Sequence, residues 1–164
     1  MEQIIQKYLQ KGEFQKALNL LEIGKKKESN NAALNYYFGK VYFQLNDHKK
    51  SLFYFRKCNQ INPRNPKILY NLAQVLQGQG KIDEAKKIYE KLIKENSKDI
   101  KSYYGLFNLG VKNINDDYAI KLEILSNDKN IKLFDKCLIN FIFSKLKKKE
   151  NKLNEELELL KLAH

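Results

Sequence analysis

Proline is nearly missing from this sequence, at two copies in 164 residues, and glycine is sparse at seven. So few breakers beside abundant Lys, Glu, Leu, Ile and Gln favour helix over strand, because straight-chain side chains lose little rotamer freedom in a helix. There are only two histidines, His48 and His164, and neither has a cysteine or carboxylate at ligand spacing. The two cysteines, Cys58 and Cys137, lie far apart; they suggest neither a metal site nor a disulfide framework, and a reducing compartment is expected. No glycine-rich phosphate loop follows a strand: Gly78 and Gly80 simply bracket Gln79 in a turn. There is no nucleophile elbow. Asp116 and Asp117 open a helix, where negative charge is favourable without any catalytic role. The expectation is a non-enzyme with no cofactor, no metal and no small-molecule substrate.

Long apolar runs are also lacking. The N-terminus has no stretch suited to a signal peptide, and nothing approaches the length of a membrane span. A cytoplasmic protein without membrane insertion is therefore expected.

What is present is an even spread of apolar residues, 43% of the chain, enough for one domain with a real core. The net charge is +12, which attracts acidic polypeptides, nucleic acid or anionic lipid at long range. Most lysines are scattered, as on solvated helix faces, and part of the Lys, Asn and Ile bias reads as composition. The densest group is Lys145, Lys147, Lys148, Lys149 and Lys152.

The chain repeats. Shifted by 34 residues, it places Ala17, Ser51, Ala85 and Ala119 in one small column, and Ile4, Phe38, Leu72 and Leu106 in a large apolar one. Tyr8, Tyr42 and Leu76 form a third column; Leu21, Phe55 and Tyr89 a fourth; Gly12, Asn46 and Gly80 a loop column. Phe38, Val41, Tyr42 and Leu45 keep the spacing of one helix face, and Leu52, Phe55, Cys58 and Asn59 that of a second. Between them a Gly or Asn suits a left-handed reversal, and Pro63 and Pro66 stop the second helix. The unit is an antiparallel helix pair, with the small column at a close helix crossing.

These motifs resemble the tetratricopeptide repeat. Phe38, Gly39 and Tyr42 match its opening motif, Leu72, Ala73 and Leu76 match it with an aliphatic substitution, and Ser51, Phe55, Cys58 and Pro63 match its second half. Ala85 and Tyr89 keep part of that half, whereas Leu92 and Ser97 depart from it. The first repeat enters partway, with Ile5 where a small residue is expected after Ile4. Either the protein is compact or a longer array has been cut. The fourth repeat is degenerate: Phe107, Gly110, Ile114 and Glu123 break its columns, and a short second helix is expected from about Asp116 to Leu125.

The resemblance implies an all-α, right-handed superhelical solenoid of antiparallel helix pairs forming a single domain over 1–164. Repeats would cover approximately 1–31, 32–65, 66–99 and a degenerate 100–129, with a C-terminal capping helical hairpin over 130–164. One capping helix would bury Phe134, Cys137, Leu138, Phe141, Ile142 and Leu146; the other would bury Leu153, Leu157 and Leu160.

In such a stack the first helices line a concave groove. Its inward positions here would be Tyr36, Tyr37, Lys40 and Phe43, then Lys67, Tyr70, Asn71 and Gln74, then Lys101, Tyr104 and Asn108. Tyr36, Tyr70 and Tyr104 share one column. Tyr offers area at low entropy cost, Asn and Gln can bond a peptide backbone, and the lysines favour an acidic partner. Family members that clamp a chaperone's carboxylate tail use a fixed set of Lys, Asn and Arg. Asn71 and Lys101 match that set, while Tyr36, Lys40 and Gly105 depart from it.

The expected role is a scaffold or adaptor that holds a peptide or helix of a partner protein in the groove, alone or within a larger assembly. An RNA-associated repeat protein is the second reading; it rests on charge, and only Arg56 and Arg64 supply arginine. A small secretion-type or co-chaperone-like repeat protein is the third.

Overall fold

The computed structural model describes residues 1–27, 31–110, 114–149, 158, 159, 161 and 162. Among them the regular structure is entirely helical, in the order α1 (Glu2–Gln10), α2 (Phe14–Lys27), α3 (Ala32–Gln44), α4 (His48–Ile61), α5 (Pro66–Gly78), α6 (Ile82–Glu95), α7 (Ile100–Asn108), α8 (Asp116–Ser126) and α9 (Leu133–Lys149). None of these is long and apolar enough to cross a membrane. The expected second capping helix, with Leu153, Leu157 and Leu160, lies outside the described residues. The chain packs as two units, Met1–Ala85 and Lys86–His164, each described by itself.

The loop column behaves as its chemistry requires. Gly12, Asn46 and Gly80 have φ of 72°, 57° and 73°, the left-handed conformation that glycine and asparagine tolerate best. Each is followed by a residue whose N–H reaches five residues back: Glu13 to Tyr8, Asp47 to Tyr42 and Lys81 to Leu76, all at 2.9 Å. Each also donates its own N–H three residues back, to Leu9, Phe43 and Gln77. Together the two bonds satisfy carbonyls that the helix end leaves open. The same reversal thus recurs at the repeat spacing.

In the fourth repeat the corresponding position is Ile114, a β-branched residue that the left-handed region disfavours. Helix α7 ends early, at Asn108, and the positive φ falls on Gly110 at 141°. Helix α8 then spans Asp116–Ser126, close to the expected limits, with the Asn115 side chain accepting the Tyr118 N–H at 2.9 Å.

Packing follows the columns with corrections at both ends. Ala17, Ser51 and Ala85 are fully buried, and the Ser51 hydroxyl donates to the Gly39 carbonyl at 2.8 Å. Ala119 is only half-buried. In α1 the core residue is Ile5, at 0% exposure, and not Ile4, which is 50% exposed. Volume accounts for this shift. At Gly39 an added Cβ would stand 2.9 Å from the Phe55 ring, so that position must stay small. In the first repeat the ring is replaced by the smaller Leu21, which leaves room for Ile5.

In α9, Ile139 and Ile142 are fully buried, and the expected face is otherwise only half-covered at Cys137, Leu138, Phe141 and Leu146. Phe134, expected in the core, is 62% exposed. Helix α7, its main partner among the described residues, has nine residues against seventeen in α9, roughly 13 Å against 25 Å, so it cannot cover the whole length.

One core group works against its surroundings. Tyr103 is fully buried, and its hydroxyl has no hydrogen-bond partner among the described residues. Burial pushes its pKa up to about 12, with Tyr118 and the carboxylates of Asp117 and Asp99 acting the same way. A folded pKa above the unfolded value of about 10 stabilises the fold below that value and withdraws stability as pH rises through 10 towards 12. Tyr103→Phe removes the unpaired hydroxyl, so its melting temperature at neutral pH should match or exceed the parent's. It should also lose less stability than the parent between pH 10 and pH 12, measured by circular dichroism.

Candidate functional site

The face shared by α3 and α5 is the candidate site in the first unit. Both helices begin at asparagine caps: Asn31 accepts from the Ala33 and Leu34 N–H groups at 2.8 and 3.1 Å, and Asn65 from Lys67 at 3.0 Å, with Pro66 opening α5. These caps fix where the first turns stand. They bring Ala32, Ala33, Tyr36, Asn62, Asn65 and Lys67 around a cleft of about 200 Å³.

Tyr36 is the centre of this face. Its hydroxyl accepts from the Asn71 amide at 3.4 Å, linking α3 to α5, and the same amide donates to the Lys67 carbonyl at 2.6 Å. Its ring meets Tyr37 and Phe55 edge-on at 5.5 and 5.9 Å, and the Lys40 ammonium lies 5.9 Å from its centroid. Burial holds the phenol's pKa above its ordinary value, while the Asn71 amide pulls the other way. The result is a half-buried ring in a fixed orientation, bordered by amides and ammonium groups.

The other expected positions distribute unevenly. Tyr70 and Gln74 are half-buried on α5, and Lys67 is exposed. Tyr37 also lines the cleft but is 5% exposed, and its hydroxyl accepts from Gln6 of α1 at 2.7 Å, which ties it into the packing beneath the face. Phe43 sits edge-on to His48 at 5.6 Å, near the turn after α3. In the second unit Lys101 and Asn108 are exposed, and Tyr104 is packed by Phe141 of α9 at 5.9 Å and by Phe107 at 6.4 Å.

Sequence reasoning passed over Asn62 and Asn65. The signal was available at Asn65, since Asn followed by Pro marks a capped helix start. Cys58 serves packing: its thiol donates to the Ala32 carbonyl at 3.3 Å, and burial pushes its pKa up to about 12, far from a reactive thiolate.

Gly105, where a tail-clamping protein would carry Arg or Lys, has a steric cause. A Cβ there would lie 2.5 Å from Cζ of the buried Tyr89 ring and closer still to its Cε1. No side chain fits.

A tetratricopeptide repeat family model matches residues 42–106. No curated protein matches the chain. Among solved structures, one described as a functional characterization of pilF from Pseudomonas aeruginosa superposes with a TM-score of 0.77 at 17% identity, over 99% of this chain and 72% of that one. A putative kinesin light chain from Podosopora anserina with nearly identical repeats of this type gives a TM-score of 0.75 at 16% identity, over 99% and 90%. YrrB, described as a protein of this class with an unusual peptide-binding site, gives 0.66 at 16% identity, over 97% and 80%. At these identities the likeness establishes the fold.

Proposed function

Because the chain carries tetratricopeptide repeats, matched over residues 42–106, in a fold that generally mediates protein–protein interaction, we propose that the α3/α5 face holds an extended or helical segment of a partner protein. The observation that carries this reading is Tyr36, held by Asn71 and flanked by Lys40 beside an open cleft. A ring so fixed loses little further entropy on contact, while the Asn71 amide oxygen and the ammonium groups nearby can bond a peptide backbone or an acidic side chain. The segment is expected to be acidic, because Lys67 borders the cleft, Lys40 lies over the Tyr36 ring, and Glu2 is the one carboxylate among the described lining residues.

Affinity capture from the native cell, with and without nuclease, tests the class of partner. Retention of a protein after nuclease supports the proposal, and loss of everything bound overturns it in favour of RNA. With the captured partner in hand, Tyr70→Ala should weaken binding by about 1–3 kcal/mol without changing the melting temperature by more than a few degrees. Lys67→Gln should instead flatten the salt dependence, with a smaller loss at physiological ionic strength. Changing Lys147, Lys148 and Lys149 should leave the affinity unchanged.

A further inference from the structure

Charge is not evenly spread over the second helices of the repeats. Helix α6 balances Lys86, Lys87, Lys91 and Lys94 with Asp83, Glu84, Glu90 and Glu95. Helix α4 carries Lys49, Lys50, Arg56 and Lys57 and has no carboxylate at all. Helix α2 is basic as well, with Lys16, Lys25, Lys26 and Lys27 against Glu22, and what sets α4 apart is that no carboxylate on it offsets its four cations.

The solvent side of α4 also carries an aromatic ring that is largely exposed and meets only the edge of Tyr54, at 5.2 Å, among the ring contacts of the described residues. Phe53 is 54% exposed, while its sequence neighbours Leu52, Tyr54 and Phe55 are buried. Lys57 lies 4.7 Å from the Phe53 centroid. Lys49, Phe53, Arg56, Lys57 and Gln60, with Leu52 as the floor, border a shallow surface cleft of about 340 Å³. Positions 49, 53, 56 and 60 stand four, three and four apart, the ridge spacing by which one helix packs along another. Two local carboxylates are already engaged. Asp47 pairs with Lys50 at 3.1 Å, and Glu84 reaches Arg56 at 3.8 Å with both side chains more than half exposed, a pairing that a partner's carboxylate can displace. Lys49 and Lys57 have no ion pair among the described residues.

From these observations we propose that the outer face of α4 docks an acidic amphipathic helix of a partner protein, separate from the α3/α5 face. An apolar side chain of that helix covers Phe53 and enters the cleft over Leu52, while carboxylates one turn to either side meet Lys49, Arg56 and Lys57. A single exposed ring is a poor platform for single-stranded nucleic acid, which stacks successive bases on several aromatics. A membrane surface calls for a broad apolar face, and here one ring is ringed by cations. A helix fits the periodicity.

The test uses a fluorescein-labelled synthetic helix with Glu on one face and Leu on the other, and a second peptide of the same composition with the amphipathic order scrambled. Anisotropy is read at physiological salt, with hydrogen exchange locating the contact. The ordered peptide should bind more tightly than the scrambled one and protect α4. Phe53→Ala should weaken it about tenfold or more, and Arg56→Glu with Lys57→Glu should abolish it. Tyr70→Ala should leave it unchanged, so a failure here and a failure of the α3/α5 reading are distinguishable. Equal binding of the two peptides, protection elsewhere, or insensitivity to Phe53→Ala overturns the proposal. So does Phe53-dependent binding of a single-stranded RNA oligonucleotide, or of phosphatidylserine vesicles, that is tighter than that of the ordered peptide.

Discussion

Phe38→Ala should lower the stability of the first unit by about 3–5 kcal/mol, enough to unfold it at or near physiological temperature. The ring is 1% exposed and stacks on Tyr54, with centroids 4.6 Å apart; Tyr42 stacks on both, at 5.6 Å from Tyr54 and 6.3 Å from Phe38. Lys25 of α2 lies 5.6 Å from the Phe38 centroid and donates to the Tyr54 hydroxyl at 3.5 Å. Three helices therefore meet on this ring, and none can collapse into the space without breaking its other contacts. Phe53→Ala is the control. It removes the same side chain from a site more than half exposed and should cost less than about 1 kcal/mol. Urea titrations of both variants read the difference directly. Similar midpoints would mean that Phe38 is not the anchor its position implies.

The contrast between Phe38 and Phe53 also shows what was legible in the sequence. Phe38 stands in a column shared with Leu72 and Leu106, both buried, so periodicity alone placed it inside. The reversals at Gly12, Asn46 and Gly80 were equally legible, because only a few residue types tolerate their backbone. Columns failed where neighbours differ in size between repeats. Ile5 is buried in place of Ile4 because Leu21 is smaller than Phe55, a compensation visible only once the helices face each other. Phe134 failed for a related reason: helix periodicity says which side is apolar, not how far the facing helix extends. Of the candidate site, Tyr36 and Asn71 were expected on neighbouring first helices, and a hydrogen bond joins them. Tyr37's bond to Gln6 and the contribution of Asn62 depend on contacts between elements and left no local signal.

Gly105→Arg should unfold the second unit, and Gly105→Ala should destabilise it by about 1–3 kcal/mol. Two effects compete in the alanine variant. Replacing glycine inside α7 gains about 0.5–1 kcal/mol of helix propensity. Against this, the new Cβ would stand 2.5 Å from Cζ of Tyr89, a ring at 0% exposure. Overpacking of a buried aromatic outweighs propensity, so the sign is destabilising. Gly39→Ala is the graded comparison. Its Cβ would approach Phe55 at 2.9 Å, a lesser overlap that a small ring shift relieves in part, so its cost should be smaller. The arginine variant carries a functional consequence. It adds a cation of the kind a carboxylate-tail clamp carries at this position, yet its first side-chain carbon already overlaps the Tyr89 ring. A folded Gly105→Arg protein that gains affinity for an acidic C-terminal peptide, measured by calorimetry, would show that α7 can rotate to free this position. Loss of the helical signal together with any peptide binding is the expected result, and it would mean that close packing of α7 on Tyr89 rules out that mode of recognition in this chain.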